Sequence, residues 1–176
     1  VKERFERWSA ERKASGMGVQ LKSAVEADDF LEDFASPHSG KFWDKEYFNA
    51  FIELLPEVEG GTFSVWNVGC GKGEETYSLT TALKKRYGNK KIKVYANDND
   101  LLNISTAPNL IFAQNSIPDI YDEYINEGRN GWQFTSGIKE LILFEYHDVT
   151  NGNQLPNVDL IVARDVLSFL PESSMM

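Results

Sequence analysis

A glycine-rich turn, residues 69–73, lies between a strand-like segment and a helix-like one. Residues 63–68 are rich in β-branched and aromatic side chains, which predicts a buried strand. Gly69, Gly71 and Gly73 carry no Cβ, so the backbone there can turn sharply and approach a ligand closely. Because the first N–H groups of the following helix have no partner within the helix, this arrangement predicts a site for a nucleotide-like ligand.

A carboxylate follows the next predicted strand, residues 91–96. Asp98 lies 25 residues beyond Gly73, where doubly wound sheets place a carboxylate that accepts hydrogen bonds from ribose hydroxyls. The alternative is a solvated turn within the Asn/Asp cluster of residues 97–100. The spacing G-x-G-x-G differs from the dinucleotide fingerprint G-x-G-x-x-G, which gives less reason to expect a pyrophosphate. The sequence therefore favours a ribose-containing ligand.

The elements that must position these groups alternate along the chain. Helices are predicted at residues 1–15, 19–34, 41–55, 74–87, 101–107 and 118–126, and strands at residues 63–68, 91–96, 132–135, 141–146 and 158–163. This alternation predicts an α/β fold, a doubly wound and mostly parallel sheet with helices on both faces. We expect residues 1–40 to be an N-terminal helical connector and residues 41–176 to be the α/β domain.

Composition excludes several function classes. The net charge of −9 over 176 residues argues against a nucleic-acid partner or a membrane surface. No apolar run is long enough for membrane insertion, and the single cysteine, Cys70, suits a reducing cytoplasm. Two histidines and one cysteine make no metal-ligand cluster. We therefore expect a cytoplasmic domain with no metal.

Residues 65–79, VWNVGCGKGEETYSL, resemble the signature of the CheR chemotaxis receptor methyltransferases, which is roughly W-S-A-G-C-S-T-G-E-E-P-Y-S-L. Three later segments resemble the family in order, namely residues 96–100 (ANDND), 144–149 (FEYHDV) and 158–167 (VDLIVARDVL). The resemblance runs from about Phe42 to Leu170. It implies a class I methyltransferase-like fold that binds S-adenosylmethionine and is incomplete at its C-terminal strands.

Family roles carried onto matching positions imply a set of cofactor-binding residues. Gly69 and Glu74 would lie near the amino-acid part of the cofactor, and Asp98 at its ribose. Asp148 and Val149 would lie at the adenine. The full set that the resemblance implies is Gly69, Gly71, Glu74, Asp98, Asp148, Val149, Arg164 and Asp165, the last two lying under the site.

Several positions depart from the family pattern. The family's T-x-F-F-R ends in an arginine that aligns with Asp44, and a carboxylate repels the anionic groups that an arginine would pair with. Asp148 and Asp165 each stand where the family has an asparagine, which replaces an amide by an acceptor-only charge. Phe169 stands where the family has a tyrosine. We assign no catalytic residue from the sequence.

Two functions remain open. The first is an active enzyme that methylates glutamate side chains of chemoreceptors with S-adenosylmethionine, as the resemblance implies. The second is a pseudoenzyme that keeps the fold, binds no cofactor and acts as a scaffold or self-associating module, as a homodimer, among the proteins of the chemotaxis signalling array. The added carboxylates favour the second function. Trp8, Trp43 and Trp132 could supply its apolar surface, although core packing is the simpler interpretation of each.

Overall fold

The structure is a computed structural model that describes residues 2–23, 26, 30, 36, 38–88, 90–151 and 157–166. It forms two units, Val1–Ser39 and Gly40–Met176. The first unit contains helix α1, Lys2–Ala14, close to the prediction for residues 1–15. Its Trp8 ring lies edge-on against Phe30, at 4.5 Å between centroids, and under the Arg12 guanidinium. The predicted helix at residues 19–34 falls largely outside the described residues.

The second unit alternates strands and helices. Its helices are α2 (Lys45–Leu54), α3 (Glu74–Tyr87), α4 (Leu101–Thr106) and α5 (Ser136–Lys139), with 3-10 turns at Ala107–Asn109, Gln114–Ser116 and Asp119–Tyr124. Its strands are β1 (Thr62–Val68), β2 (Lys91–Asp98), β3 (Ile125–Gly128), β4 (Gly131–Phe134), β5 (Ile142–Tyr146) and β6 (Leu160–Val162). Among the described residues, no helix is both long enough and apolar enough to cross a bilayer.

Four strands form one parallel sheet in the order β5-β2-β1-β6. Val65 of β1 lies opposite Val94 of β2 on one side and Leu160 of β6 on the other, and both valines are fully buried. Buried residues alternate with more exposed ones along the first part of both strands, and this period of two, with their β-branched and aromatic residues, is why β1 and β2 could be predicted. The predicted α/β class with a parallel sheet flanked by helices is confirmed.

Helix α3 follows β1 and carries much of the core. Its first turn is acidic and its last turn is basic, which complements the helix dipole at both ends. Gly88 ends the helix with a φ of 58°, a left-handed conformation that glycine adopts without steric cost. Tyr77, Leu79 and Leu83 are buried, and the Tyr77 ring stacks on Phe134 at 4.5 Å.

Two predicted helices differ from the structure. Helix α2 begins at Lys45 instead of residue 41, because Asp44 has an extended backbone and its Oδ1 accepts the Tyr47 N–H at 2.8 Å. The predicted helix at residues 118–126 is shorter in the structure and of the 3-10 type, Asp119–Tyr124. The chain then enters β3, which pairs antiparallel with β4 in a separate two-stranded sheet. Packing of the fully buried Tyr121 against Phe134 overrides the helical propensity of this segment.

The Tyr121 hydroxyl provides a test of this packing, since it donates to the Trp43 carbonyl at 3.0 Å in the core. We expect Tyr121→Phe to lower the free energy of unfolding by about 1–2 kcal/mol, because the buried carbonyl loses its donor. Tyr146→Phe, at a half-exposed ring, is the control and should change it by less than about 0.5 kcal/mol. Urea denaturation measures both, and equal effects would contradict the assignment.

Candidate functional site

The strand order reverses beside β1. The chain runs from β1 outward to β2 and β5, and then returns to place β6 on the other side of β1. In open α/β sheets, ligands bind at the carboxyl ends of the strands where this reversal leaves a crevice. The glycine turn follows β1 and Arg164 follows β6, so the topology alone places both at this crevice.

Two hydrogen bonds tie the glycine turn to the end of β2. The Cys70 N–H donates to the Asn97 carbonyl at 2.9 Å, and the Gly71 N–H donates to Asp98 Oδ2 at 2.8 Å. Gly71 has a φ of 54°, and a Cβ added there would meet no atom within 4 Å. The turn therefore keeps open space beside Gly71, as a cradle for a ligand requires.

Gly69 is required for a different reason. Its φ is 67°, and a Cβ there would lie 2.6 Å from Val166 Cγ2, in the loop after β6. The residue before Val166 is Asp165, whose φ of 60° is the one positive φ at a non-glycine residue in the described part of the chain. Aspartate and asparagine tolerate this left-handed conformation better than most residues. The strained loop after β6 thus packs directly on the turn.

Asp98 carries the carboxylate predicted for the ribose, and it is buried at the end of β2. Its Oδ2 accepts the Gly71 N–H, and its Oδ1 accepts the Asp100 N–H at 2.9 Å and the Asn103 amide at 3.4 Å. Two carboxylate oxygens offer about four acceptor positions. A ribose diol can therefore be accommodated if it takes the remaining position and displaces the long Asn103 contact.

A polar network joins β1, α3 and the loop after β6. Thr76 Oγ1 donates to Asn67 Oδ1 at 2.6 Å, and Asn67 Nδ2 donates to Glu75 Oε1 at 3.1 Å. Glu75 Oε2 pairs with Arg164 Nε at 2.6 Å. The guanidinium also lies over the Tyr47 ring, 5.4 Å from its centroid. Sequence reasoning missed this network, although a polar Asn67 inside an apolar strand was a usable signal.

Asp148 and Val149, predicted at the adenine, follow β5 at the same edge of the sheet. The His147 N–H donates to the Asp98 carbonyl at 3.0 Å, which holds this loop beside β2. Asp148 Oδ1 accepts both the N–H and the hydroxyl of Thr150, at 2.9 and 2.7 Å. These bonds lower the pKa of the Asp148 carboxyl. The carboxylate thus stabilises its own turn, and its role toward adenine stays a prediction.

The remaining predicted residues lie close by. Glu74 is in the first turn of α3, half-buried, and its carbonyl accepts the Ser78 hydroxyl at 2.8 Å. That hydroxyl in turn accepts the Trp43 N–H at 3.1 Å, which anchors the chain before α2 to α3. Trp43 is 2% exposed, which confirms core packing as the interpretation of this residue and excludes it from a self-associating surface. In the described part of the chain, no group of His, Cys, Asp and Glu side chains could hold a metal ion.

A parallel sheet with a glycine turn, a strand-end carboxylate and an arginine at its reversal point defines an α/β nucleotide-binding type of domain. Residues 38–175 match the family described as CheR methyltransferase, SAM binding domain. The chain belongs to this family, as the sequence resemblance predicted.

Relatives of this chain include longer proteins. It is 24% identical over 157 residues to "Chemotaxis protein methyltransferase" of Listeria monocytogenes, covering 84% of this chain and 60% of the relative. It is 29% identical over 143 residues to "Uncharacterized 104.1 kDa protein in hypE 3'region" of Rhodobacter capsulatus, covering 71% and 15%. The chain therefore spans 15% to 60% of these two relatives' lengths.

A solved structure, that of YjhP from E. coli, is similar at a TM-score of 0.39 and 16% identity, covering 68% of this chain and 36% of that one. This likeness is too low to carry an argument.

The contact between Gly69 and Val166 gives a testable prediction. Gly69→Ala should lower the free energy of unfolding by about 2–3 kcal/mol, because the new methyl combines backbone strain with a clash. Gly71→Ala, with the same strain but open space, should cost only about 1 kcal/mol. Adding Val166→Ala to Gly69→Ala should recover the clash component in a double-mutant cycle by urea denaturation. Strictly additive effects would contradict the contact.

Cys70 gives a pH-dependent prediction. Burial, with the Asp98 carboxylate adding to it, raises the pKa of the Cys70 thiol from 9.0 to about 12. Below pH 9 the thiol is protonated in both states, so it does not affect stability. Above pH 9 the unfolded thiol ionises and the folded one does not, so stability falls. We expect the thiol to contribute a loss of about 1 kcal/mol between pH 8 and pH 10 by urea denaturation. Cys70→Ala should remove this contribution and leave the smaller loss from buried tyrosines such as Tyr77 and Tyr121, whose pKa burial also raises.

Proposed function

We propose that this domain binds S-adenosylmethionine and transfers its methyl group to carboxylate side chains of chemoreceptors in the cytoplasm. One observation carries the proposal. The sheet reversal brings together the open glycine turn, the buried Asp98 and an arginine held by Glu75. Membership of the CheR methyltransferase family supports the cofactor, and similarity to the chemotaxis protein methyltransferase of Listeria monocytogenes supports the chemotaxis partner.

The residues present fit the cofactor. Asp98 has acceptor capacity for a ribose, and the space beside Gly71 admits a ligand without steric conflict. Glu74 and Arg164 offer opposite charges suited to an amino group and a carboxylate. When bound, the cofactor supplies an activated methyl group. The chain's part is to hold donor and acceptor in position, which can account for much of the rate of such a reaction.

The substitution of the family's arginine by Asp44, before α2, is compatible with this proposal. Asp44 replaces the family's arginine, but its carboxylate accepts the Tyr47 N–H as the cap of α2. A carboxylate at a helix N-terminus is stabilised by the exposed N–H groups and the helix dipole. Its charge is thereby partly satisfied within its own turn.

A non-catalytic interaction module is the second candidate. The observation that favours it is Asp148, whose side chain is engaged by Thr150 and has no amide hydrogen to donate to a ligand. On this alternative the domain assembles with chemotaxis signalling proteins, or with a second copy of itself, and methylates nothing.

Calorimetric titration with S-adenosylhomocysteine tests the proposal. We expect micromolar binding to the wild-type chain and a loss of at least about tenfold for Asp98→Ala, because a buried charged acceptor is removed. Asp122→Ala, at an exposed acidic residue of a 3-10 turn, is the matched control and should bind as wild type. The absence of binding up to millimolar ligand would overturn the proposal.

Methyl transfer separates the two candidates once binding is established. Labelled S-adenosylmethionine is incubated with the chain and purified cytoplasmic fragments of chemoreceptors. Base-labile label on the receptor, as expected for a methyl ester, supports the enzyme. Cofactor binding without transfer, together with a stable complex by light scattering, would support the interaction module.

A further inference from the structure

Glu75 is a half-buried carboxylate with both oxygens in use. Oε1 accepts the Asn67 amide at 3.1 Å, and Oε2 pairs with Arg164 Nε at 2.6 Å. The preceding residue, Glu74, differs from Glu75. It lies in the first turn of α3, and its contact is through its backbone carbonyl, which accepts the Ser78 hydroxyl. The two adjacent glutamates therefore have different surroundings, and Glu75 is the one directed at the arginine.

The support beneath Glu75 is rigid. Asn67 is fully buried on β1, and its Oδ1 accepts the hydroxyl of the fully buried Thr76 at 2.6 Å. Thr76 fixes the Asn67 amide, and the Asn67 amide in turn fixes the Glu75 carboxylate, so the Glu75 side chain has little freedom to rotate. Tyr47 holds the other side of the guanidinium, with its ring centroid 5.4 Å from the arginine carbon. The arginine is thus held by α2 on one side and by α3 on the other.

We propose that Glu75 is a positioning residue that fixes the direction of the Arg164 guanidinium toward a carboxylate of the bound ligand. This inference rests on the proposed function and deepens it. The ligand group of this class in S-adenosylmethionine is the carboxylate of its amino-acid end.

The chemistry of the pair explains why direction is what Glu75 provides. A guanidinium is planar and presents its donors in a fixed fork, so a contact at Nε sets where the terminal nitrogens point. The Glu75–Arg164 pair carries no net charge, so it adds little long-range attraction for an anion. Its value to a ligand lies in orientation. A glutamine at position 75 leaves the charge of the guanidinium in place but offers one acceptor oxygen to two donors, Asn67 Nδ2 and Arg164 Nε, so it cannot hold both.

Two ligands separate positioning from general support of the fold. S-adenosylhomocysteine carries the amino-acid end, and 5′-methylthioadenosine lacks it but keeps the adenosine. We expect Glu75→Gln to weaken S-adenosylhomocysteine about tenfold by calorimetry and to leave 5′-methylthioadenosine within about twofold of wild type. Glu57→Gln, which breaks the exposed ion pair with Arg86 away from the turn, is the matched control and should change neither.

Tyr47→Ala provides a second variant if Glu75→Gln does not fold. The Tyr47 side chain is 43% exposed and its ring lies edge-on against the buried Trp43 at 4.9 Å, so its removal releases the other side of Arg164 and exposes one edge of the core. We expect a loss of about threefold for S-adenosylhomocysteine alone. The charge-swapped pair, Glu75→Arg with Arg164→Glu, should recover stability relative to either single change but should not recover binding of S-adenosylhomocysteine.

The outcomes are distinguishable. If the wild-type chain binds neither ligand, the proposed function fails and this inference fails with it. If wild type binds both ligands and Glu75→Gln also binds both normally, the inference alone is overturned. Equal losses for the two ligands would likewise overturn it, because Glu75 would then support the whole turn instead of orienting Arg164.

Discussion

The two hydrogen bonds between the glycine turn and the end of β2 are the interactions on which the site depends. They hold residues 70 and 71 against residues 97 and 98, so the end of one strand fixes the loop that follows its neighbour. A glycine-rich turn has high conformational entropy when it is free, and these bonds remove it in the folded state. The carboxylate that orders the turn, Asp98, is also the group that we propose for a ribose, so one side chain would serve both the shape of the turn and the binding of a ligand.

The glycine turn is also held from the other side of β1, through the pairing of β1 with β6. Because β6 pairs with β1, the loop after β6 comes back onto the turn, where Val166 fills the space that a side chain at Gly69 would need. The chain of contacts from Thr76 through Asn67 and Glu75 to Arg164 crosses from the core to the edge. A buried polar network stabilises a fold only when each of its polar groups has a hydrogen-bond partner. A change at the site that removes one partner would therefore also destabilise the core.

Local pattern accounts for what the sequence could predict. The β-branched and aromatic residues of β1 and β2 and the glycines between β1 and α3 can be recognised within short windows of sequence, and they predicted the sheet and the turn. Strand β4 was predicted at residues 132–135, but its partner β3 was missed, because the helical propensity of residues 118–126 yields to the packing of Tyr121, which no local window contains. The Glu75–Arg164 pair was missed for the same reason, since its partners are far apart in sequence and meet only through the β1–β6 register.

The three acidic residues that depart from the family pattern each have a structural role in the backbone around them. Asp44 caps α2, Asp148 closes a turn through Thr150, and Asp165 occupies a left-handed conformation. At positions 148 and 165, where the family has asparagine, aspartate serves the backbone role almost equally well. At position 44, where the family has arginine, the aspartate adds a helix cap that an arginine side chain cannot provide. Each substitution therefore has a local structural explanation, so the charge count at these positions does not by itself argue for lost catalysis. The groups that bear on that question are the two that the proposed function assigns to the cofactor, Asp98 and Arg164.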